Sequence, residues 1–355
     1  MKAAVLKAFD APLAIETVPD PVLGTGEVIV DVAASKVLAY AGEVLSGKRG
    51  YLITPPLVPG AGGVGRVRAV GPDAVQLAVG DWVFCDPTVR SRDDAAAPSI
   101  ILQGLTAGDA RGLSLQKYFR DGTWAEQVRV PTENVAPLGA IEPGDAARWC
   151  ALGTYLVPFG GFLAANLQAG ETVLVNGATG AFGSAGVAVA LGMGAGAVLA
   201  TGRSQQALDD LVRRFGPRVR PVRMTVDEEA DRQSILRAAP GPIDCVLDLL
   251  PPAASAAQVR AALLAVRPYG RVVLMGGLGQ DIGVPYGWLM RNCVTLHGQW
   301  MYPRDAIGRM IGLVRAGLVK LDEVEVTRFA LDDATAAIDH AAANAGPFKV
   351  TAICP

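Results

Sequence analysis

ETVLVNGATGAFGSAG, residues 171–186, sets glycines directly after an apolar β run and at the mouth of a helix of small residues. That placement has a chemical meaning. Gly180 permits a tight turn and lets the backbone approach a pyrophosphate, and Gly183 lets helix and strand pack closely. The first N–H groups of the helix, at Ala181, Phe182 and Gly183, point at negative charge. The first glycine of a G-x-G-x-x-G triplet is replaced by Ala178, so the motif is incomplete and its context decides. A second strand, AVLAT at 197–201, ends about 20 residues later, where an acidic side chain would bind the ribose hydroxyls of NAD. The chain instead reads Gly202, Arg203, Ser204. An Asp there would repel a 2′-phosphate, whereas glycine leaves room and arginine can pair with phosphate through two hydrogen bonds. NADP(H) is expected over NAD(H); the alternative for Arg203 is an ordinary exposed turn residue.

Outward from this motif, the chain from about residue 145 alternates apolar strands (172–176, 197–201, 243–248, 271–275) with helices at Ala181–Leu191, Gln205–Phe215 and Ser255–Leu264. That is the rhythm of a parallel sheet with helices on both faces. The first 140 residues differ, with short β runs at Ala3–Lys7, Glu27–Ala33, Gly63–Val70, Trp82–Cys85 and Trp124–Val130 between Gly/Pro turns. After Leu296 come a helix (Arg304–Ala316), a strand near Val324–Phe329, a helix (Leu331–Asn344) and a last strand, Phe348–Ile353, a tail able to close the sheet of the first domain. The expected division is therefore 1–148 with 297–355, and 149–296.

Composition narrows the function classes. The 355 residues are 51% hydrophobic and 19% charged, enough apolar material for two cores. The greasiest stretch, 181–200, is interrupted by Gly183, Gly186, Gly192, Gly194 and Gly196, so no run approaches the roughly 20 residues that cross a bilayer. The N-terminus lacks the apolar core and cleavage site of a signal peptide, and a cytoplasmic location is expected. A net charge of −2 and a pI near 5.8 give no basic surface for nucleic acid; the basic stretch Arg213–Arg223 reads as a solvated helix face and loop. Five cysteines (85, 150, 245, 293, 354) form no C-x-x-C pair and are expected as buried small hydrophobes.

With these residues in view, the chain resembles the medium-chain dehydrogenase/reductase superfamily over nearly all its length. The family's zinc signature, G-H-E-x-x-G-x5-G-x-x-[IVSAC], keeps its skeleton in Gly60-Ala61-Gly62-Gly63-Val64-Gly65, Gly71 and Ala74, but the His and Glu are absent. Val79-Gly80-Asp81-Trp82-Val83, Asp121-Gly122-Thr123-Trp124-Ala125-Glu126 and Phe348-Lys349-Val350 are also family-like. The resemblance implies an α/β chain: a β-rich GroES-like catalytic domain plus a doubly wound, parallel-sheet Rossmann domain. The family's catalytic zinc ligands fall on Leu38, Ala61 and Thr154, none of them a thiolate or imidazole, and residues 86–120 carry none of the structural zinc's four cysteines. His297 and His340 stand apart from any cysteine in a ligand-like spacing. No metal is expected, which resembles the zinc-independent, quinone oxidoreductase-like branch, whose members are commonly homodimers.

Hydride chemistry belongs to the nicotinamide, so a metal-free member can still act on a small-molecule substrate already poor in electrons: a quinone, enone or enoyl thioester. The alternative is ketone or alcohol chemistry with a tyrosine or water as proton carrier. A third possibility is NADP(H) binding without turnover. Tyr40, two residues beyond the lost cysteine position, and Tyr51, on the loop after it, are the candidate donors, with Lys36 behind them; each tyrosine can equally be an amphipathic rim residue. Thr154 and Tyr155 are expected to line the cleft. The strand ends Leu249, Leu250, Gly276 and Gly277 are expected to border the nicotinamide, while Asp248 can serve simply to satisfy backbone donors.

Overall fold

Runs such as Val173-Leu174-Val175, Val198-Leu199-Ala200 and Val272-Val273 lack polar alternation, and a strand of that kind must be covered on both faces. In the computed structural model, which describes Met1–Pro355, they are fully buried. They belong to a six-stranded, wholly parallel sheet in the order Val219–Arg223, Ala197–Gly202, Thr172–Asn176, Cys245–Asp248, Arg271–Leu274, Thr295–Gly298. This is a doubly wound order, and it reverses between Thr172–Asn176 and Cys245–Asp248, the place where such sheets receive ligands at their carboxyl ends.

The crossover helices begin where side chains can cap them. Ser204 accepts from Ala207 N at the start of Gln205–Phe215, Asp227 from Ala230 N before Glu228–Ala238, and Ser255 forms a reciprocal capping box with Gln258 before Ala256–Leu263. On Gln205–Phe215, Leu208 and Leu211 are buried, Arg213 is exposed, and half-buried Arg214 lies with its guanidinium carbon 3.7 Å from the Phe348 ring centroid.

The other sheet is built on Glu27–Val37, which pairs antiparallel with Gly63–Val70 on one side. On its other side it meets Gln127–Pro131 over Glu27–Asp31 and Lys349–Cys354 over Ser35–Val37. Register irregularities at Ile29/Val30 and Val32/Ala34 re-aim the strand between these partners. Val28, Val30, Val67, Val83, Val128 and Val130 form one apolar cluster of this unit, and Val37, Trp124, Leu331, Ala337 and Ile353 belong to a second. The C-terminal strand thus joins the sheet begun by the first forty residues.

Contacts divide the chain into Met1–Gly153 with Leu321–Ala345 and Lys349–Pro355, and Thr154–Lys320 with Gly346–Phe348. Where the sequence reading returns the chain to the first unit at 297, the contacts do so at Leu321. The reason is Thr295–Gly298, which extends the parallel sheet beside Arg271–Leu274 and keeps the following helix, Ala306–Arg315, in that unit.

Other departures have local causes. Residues 86–120, to which the sequence reading gave no element, contain a small antiparallel sheet (Thr88–Arg90, Ile100–Leu102, Thr106–Ala107) and the helix Gly112–Tyr118, around Val89, Ile101, Ala107 and Phe119. Strands of two or three residues carry no periodicity to detect. The arginine-rich stretch ends in a real strand, Val219–Arg223, with Val219 and Val222 buried; Pro221 is tolerated because this is an edge of the sheet. Cys85, Cys150 and Cys245 are buried, as their spacing suggested, but Cys293 is exposed at the left-handed end of Tyr286–Asn292. No helix is long and apolar enough to cross a membrane.

Candidate functional site

In the parallel-sheet unit, the turn after Thr172–Asn176 bends at Gly177, whose φ of +84° suits glycine and whose amide donates to Thr201 Oγ1 at 3.1 Å. Gly177, not Gly180, is therefore the conformational hinge. A Cβ on Gly183 would lie 2.7 Å from Ala178 Cα and nearer still to Gly177 O, so this glycine is demanded by helix–turn packing. Gly180 differs from both. It has an ordinary φ of −85°, and a Cβ there would meet nothing nearer than Gly177 O at 3.6 Å. The chain's own geometry does not require glycine at this exposed position. The helix that follows, Ala181–Gly192, has no side-chain cap, and its first intrahelical bond runs from Ser184 N to Gly180 O at 2.8 Å. Its first turn suits a phosphate.

At the carboxyl end of the neighbouring strand, Gly202 is buried and a Cβ would run into Thr179 Cγ2 and Oγ1. Arg203 is exposed. Gly202 stands opposite Arg223 in the parallel register, and Arg223 is exposed too. Neither arginine is paired with a carboxylate, so two cations flank the place where an acid would discriminate for a free ribose. Sequence spacing identified only the first, because Arg223 arrives through strand pairing. Ser204 has its hydroxyl engaged as the cap of Gln205–Phe215, accepting from Ala207 N at 3.3 Å.

A buried polar network closes the bottom of this site. Thr201 Oγ1 donates to Asn176 Oδ1 at 2.8 Å, and Asn176 Nδ2 donates to Asp248 Oδ1 at 2.8 Å. Burial pushes the Asp248 carboxyl up to about 6, against the opposing pull of Asn176 and of the Leu250 amide. Asp248 thus satisfies neighbouring donors, as one reading of it held; the partners Asn176 and Thr201 escaped the sequence analysis because they meet only across strands. Leu249 and Leu250 follow Asp248, and Gly277 N donates to Leu250 O at 2.8 Å, tying the two strand ends together. A Cβ on Gly276 would stand 2.6 Å from Leu250 O, so this glycine answers to packing. Thr154 is buried in the helix Leu152–Ala164, with Tyr155 beside it.

In the β-rich unit, Leu38 and Ala61 are half-buried, and Gly60 and Gly62 hold φ of +109° and +78°. Thr123 Oγ1 donates to Gly62 O at 2.9 Å and shares a 2.6 Å hydrogen bond with Ser35 Oγ. The glycines of the signature therefore have a folding role separate from metal binding. No group of three or more His, Cys, Asp and Glu side chains is arranged to hold a metal ion. His297 contacts Gln299 Oε1 at 3.1 Å on an edge strand, and His340 contacts Thr351 Oγ1 at 3.0 Å.

The structure brings Tyr40 and Tyr51 together, edge to face, with ring centroids 6.2 Å apart. Burial above all, then the adjoining Tyr51 phenol, raises the Tyr40 hydroxyl well beyond the usual tyrosine range. Arg49, absent from the sequence candidates, stands with its guanidinium carbon 3.8 Å from the Tyr40 ring centroid. Lys36 is half-buried on the strand Glu27–Val37, and burial lowers its ammonium to about 8. A cavity of about 420 Å³ in the same unit, between Val5, Pro56, Phe119 and Arg129, contains none of these residues and is not assigned to the chemistry.

Residues 24–140 match the alcohol dehydrogenase GroES-like domain. An alcohol dehydrogenase of Rhizobium meliloti is 31% identical over 195 residues, 55% of each chain, so the match spans about half of that relative. Over nearly full length the chain is 27% identical to an L-threonine 3-dehydrogenase of Streptomyces avermitilis (98% of this chain, 97% of the relative). It is also 27% identical to an acryloyl-coenzyme A reductase of Metallosphaera sedula (92% and 94%). Among solved structures, a zinc-binding dehydrogenase of Sinorhizobium meliloti 1021 bound to NADP superposes with a TM-score of 0.79 at 20% identity, over 100% of this chain and 99% of that one. The α/β fold, with its GroES-like and Rossmann-type parts, is the fold of these proteins.

Proposed function

We propose that this chain belongs to the medium-chain dehydrogenase/reductase superfamily and is an NADP(H)-dependent oxidoreductase that reduces a conjugated carbonyl substrate, of quinone, enone or enoyl type, without catalytic zinc; the match of residues 24–140 to the GroES-like domain and the shared fold support the family. The observation that carries the reading is the basic strand end at Gly202, with exposed Arg203 next in the chain and exposed Arg223 opposite it in the parallel register. The bound cofactor supplies the hydride.

The residues of the chain hold and orient. The N–H groups at Ala181, Phe182 and Gly183 would hold the pyrophosphate, with Gly180 leaving room for it, and Arg203 and Arg223 would hold the 2′-phosphate. Ser204 accepts from Ala207 N as the helix cap, which leaves its O–H free to donate to the same phosphate. Leu249, Leu250, Gly276, Gly277 and Thr154 border the nicotinamide half. With Leu38, Ala61 and Thr154 at the ligand positions, no thiolate or imidazole is available there for zinc. A conjugated substrate needs less electron withdrawal than an isolated ketone, and a tyrosine hydroxyl is sufficient to hold the developing oxyanion. Tyr40 and Tyr51 are the candidates for that task.

The same hydroxyls would serve a ketone and alcohol pair, the second reading, favoured by similarity to chains named as alcohol and threonine dehydrogenases. Incubation with NADPH and 2-cyclohexenone separates the two: the saturated ketone supports the first, the allylic alcohol the second. Tight NADPH binding with no turnover on quinones, enones or ketones leaves a non-catalytic binding protein. A homodimer is proposed as well, since the edge strand Thr295–Gly298 is exposed and has a sheet neighbour on one side only; light scattering of the purified protein tests it.

A further inference from the structure

We propose that the cavity of about 420 Å³ in the β-rich unit is a second ligand site, fitted to a neutral, planar aromatic molecule with a hydrogen-bond donor on its edge. The inference goes beyond the reductase reading and does not depend on it, because none of the residues lining this cavity has a part in that reading.

The local sequence explains why a cavity forms here. Val18-Pro19-Asp20-Pro21-Val22 follows the strand Ala14–Thr17, and its two prolines, with fixed φ and no N–H, cannot extend that strand's ladder. The segment becomes one rim. Pro56-Leu57-Val58 forms another side, held by Leu57 N donating to Leu6 O at 3.1 Å and Val58 N donating to Asp121 Oδ1 at 2.9 Å. Tyr118 and Phe119, at the end of the helix Gly112–Tyr118, supply an aromatic wall, packed edge to face with ring centroids 4.9 Å apart.

Two lining side chains decide the class of ligand. Gln103 is 3% exposed, and its Nε2 donates to Asp121 O at 2.7 Å and to Arg129 O at 2.8 Å, which fixes the orientation of the amide. Its Oε1 is buried and meets no donor. An acceptor left in that state is unfavourable. A water can meet it in the ligand-free protein, and a ligand that displaces the water must bring a donor of its own. Arg129 ties the walls together: Nη1 donates to Val22 O at 3.3 Å, Nη2 donates to Tyr118 O at 2.9 Å, and the guanidinium carbon is 4.4 Å from the Tyr118 ring centroid. Glu27 Oε2, 3.7 Å from Arg129 Nη1, balances its charge, and Asp121 balances Arg120 at 3.3 Å. An anion therefore finds no unmatched arginine, and the ligand that suits the cavity is neutral.

Tyr118 stays 53% exposed, and with Phe119 it offers a surface on which a flat ring can pack. The volume lies within the range of small-molecule sites, about 300–1,000 Å³. An ordinary solvent-filled cleft accounts for the volume and for the exposed tyrosine. It does not account for a fixed, buried amide in the wall with its acceptor unused.

The test is a fluorine NMR titration of the full chain with 5-fluoroindole and with 5-fluorobenzofuran, which has the same shape and no N–H. The indole is expected to bind with a Kd below about 1 mM, and the benzofuran about tenfold more weakly, the order of one hydrogen bond to a buried acceptor. Q103L should abolish the difference between the probes. Y118A keeps the backbone carbonyl that holds Arg129 and should weaken both probes about tenfold; it decides the matter if Q103L fails to fold. Saturating NADPH should leave both affinities unchanged. Equal affinity for the two probes, wild-type affinity in Y118A, displacement of the indole by NADPH, or no binding of 5-fluoroindole in the millimolar range would each overturn the proposal.

Discussion

Replacing Asp248 with Asn removes an ionisable group from the buried end of the strand Cys245–Asp248, and the consequence for stability has a definite pH signature. Asp248 is 3% exposed, and burial raises its carboxyl from 3.8 to about 6. The folded protein therefore binds this proton more tightly than the unfolded chain. Stability from the group is complete below 3.8 and is lost as pH rises through about 6. At about 1.4 kcal/mol per tenfold, the shift corresponds to at most about 3 kcal/mol at neutral pH. Asn at this position keeps the shape but gives up the charge-assisted bond from Asn176 Nδ2, an offset of about 1 kcal/mol. D248N should then be more stable than wild type by about 1–2 kcal/mol at pH 7.5, and by little or nothing at pH 4. Thermal midpoints of both proteins, measured from pH 4 to 8, check this, with about 2–4 °C expected per kcal/mol for a unit of this size. All other titrating groups are shared, so subtraction isolates position 248. A difference that is flat with pH, or a variant that loses stability relative to wild type as pH rises from 4 to 7, would show that burial does not raise the Asp248 carboxyl and refute the reasoning.

The paired glycines should separate folding from binding. G183A places a methyl group against Gly177 O and Ala178 Cα and should cost about 1–3 kcal/mol in a denaturant melt. G180A should leave stability unchanged or slightly raised, yet weaken NADPH in a fluorescence titration. R203A and R223A should each weaken NADPH about tenfold or more while leaving NADH affinity nearly untouched; an equal loss for both cofactors would remove the 2′-phosphate from the account. Turnover should be insensitive to EDTA, and full inhibition that is reversed by added zinc would defeat the metal-free reading.

Part of this organisation was legible before any coordinates. Strands read at 172–176 and 197–201 and helices read at 181–191 and 205–215 agree with the structure to within a residue, because each lies in one continuous segment with apolar β runs and glycines marking it. Val219–Arg223 was not readable, because arginine dominates its composition and only two valines face the core. The substructure at 86–120 was equally silent, since pairing between very short strands depends on partners outside the local sequence.

Sequence alone was enough to determine the βαβ character of the second half, the glycine turn and the absence of an acid at 202, for these are statements about which atoms a short stretch contains. Tertiary structure decided which glycine bends and which makes room, brought Arg223 beside Gly202, kept residues 297–320 with the parallel sheet, and folded Arg49 and Tyr51 back on Tyr40. The physical reason is common to all four: a side chain's charge, burial and steric room are properties of its neighbours, and those neighbours are supplied by strand register and chain reversal.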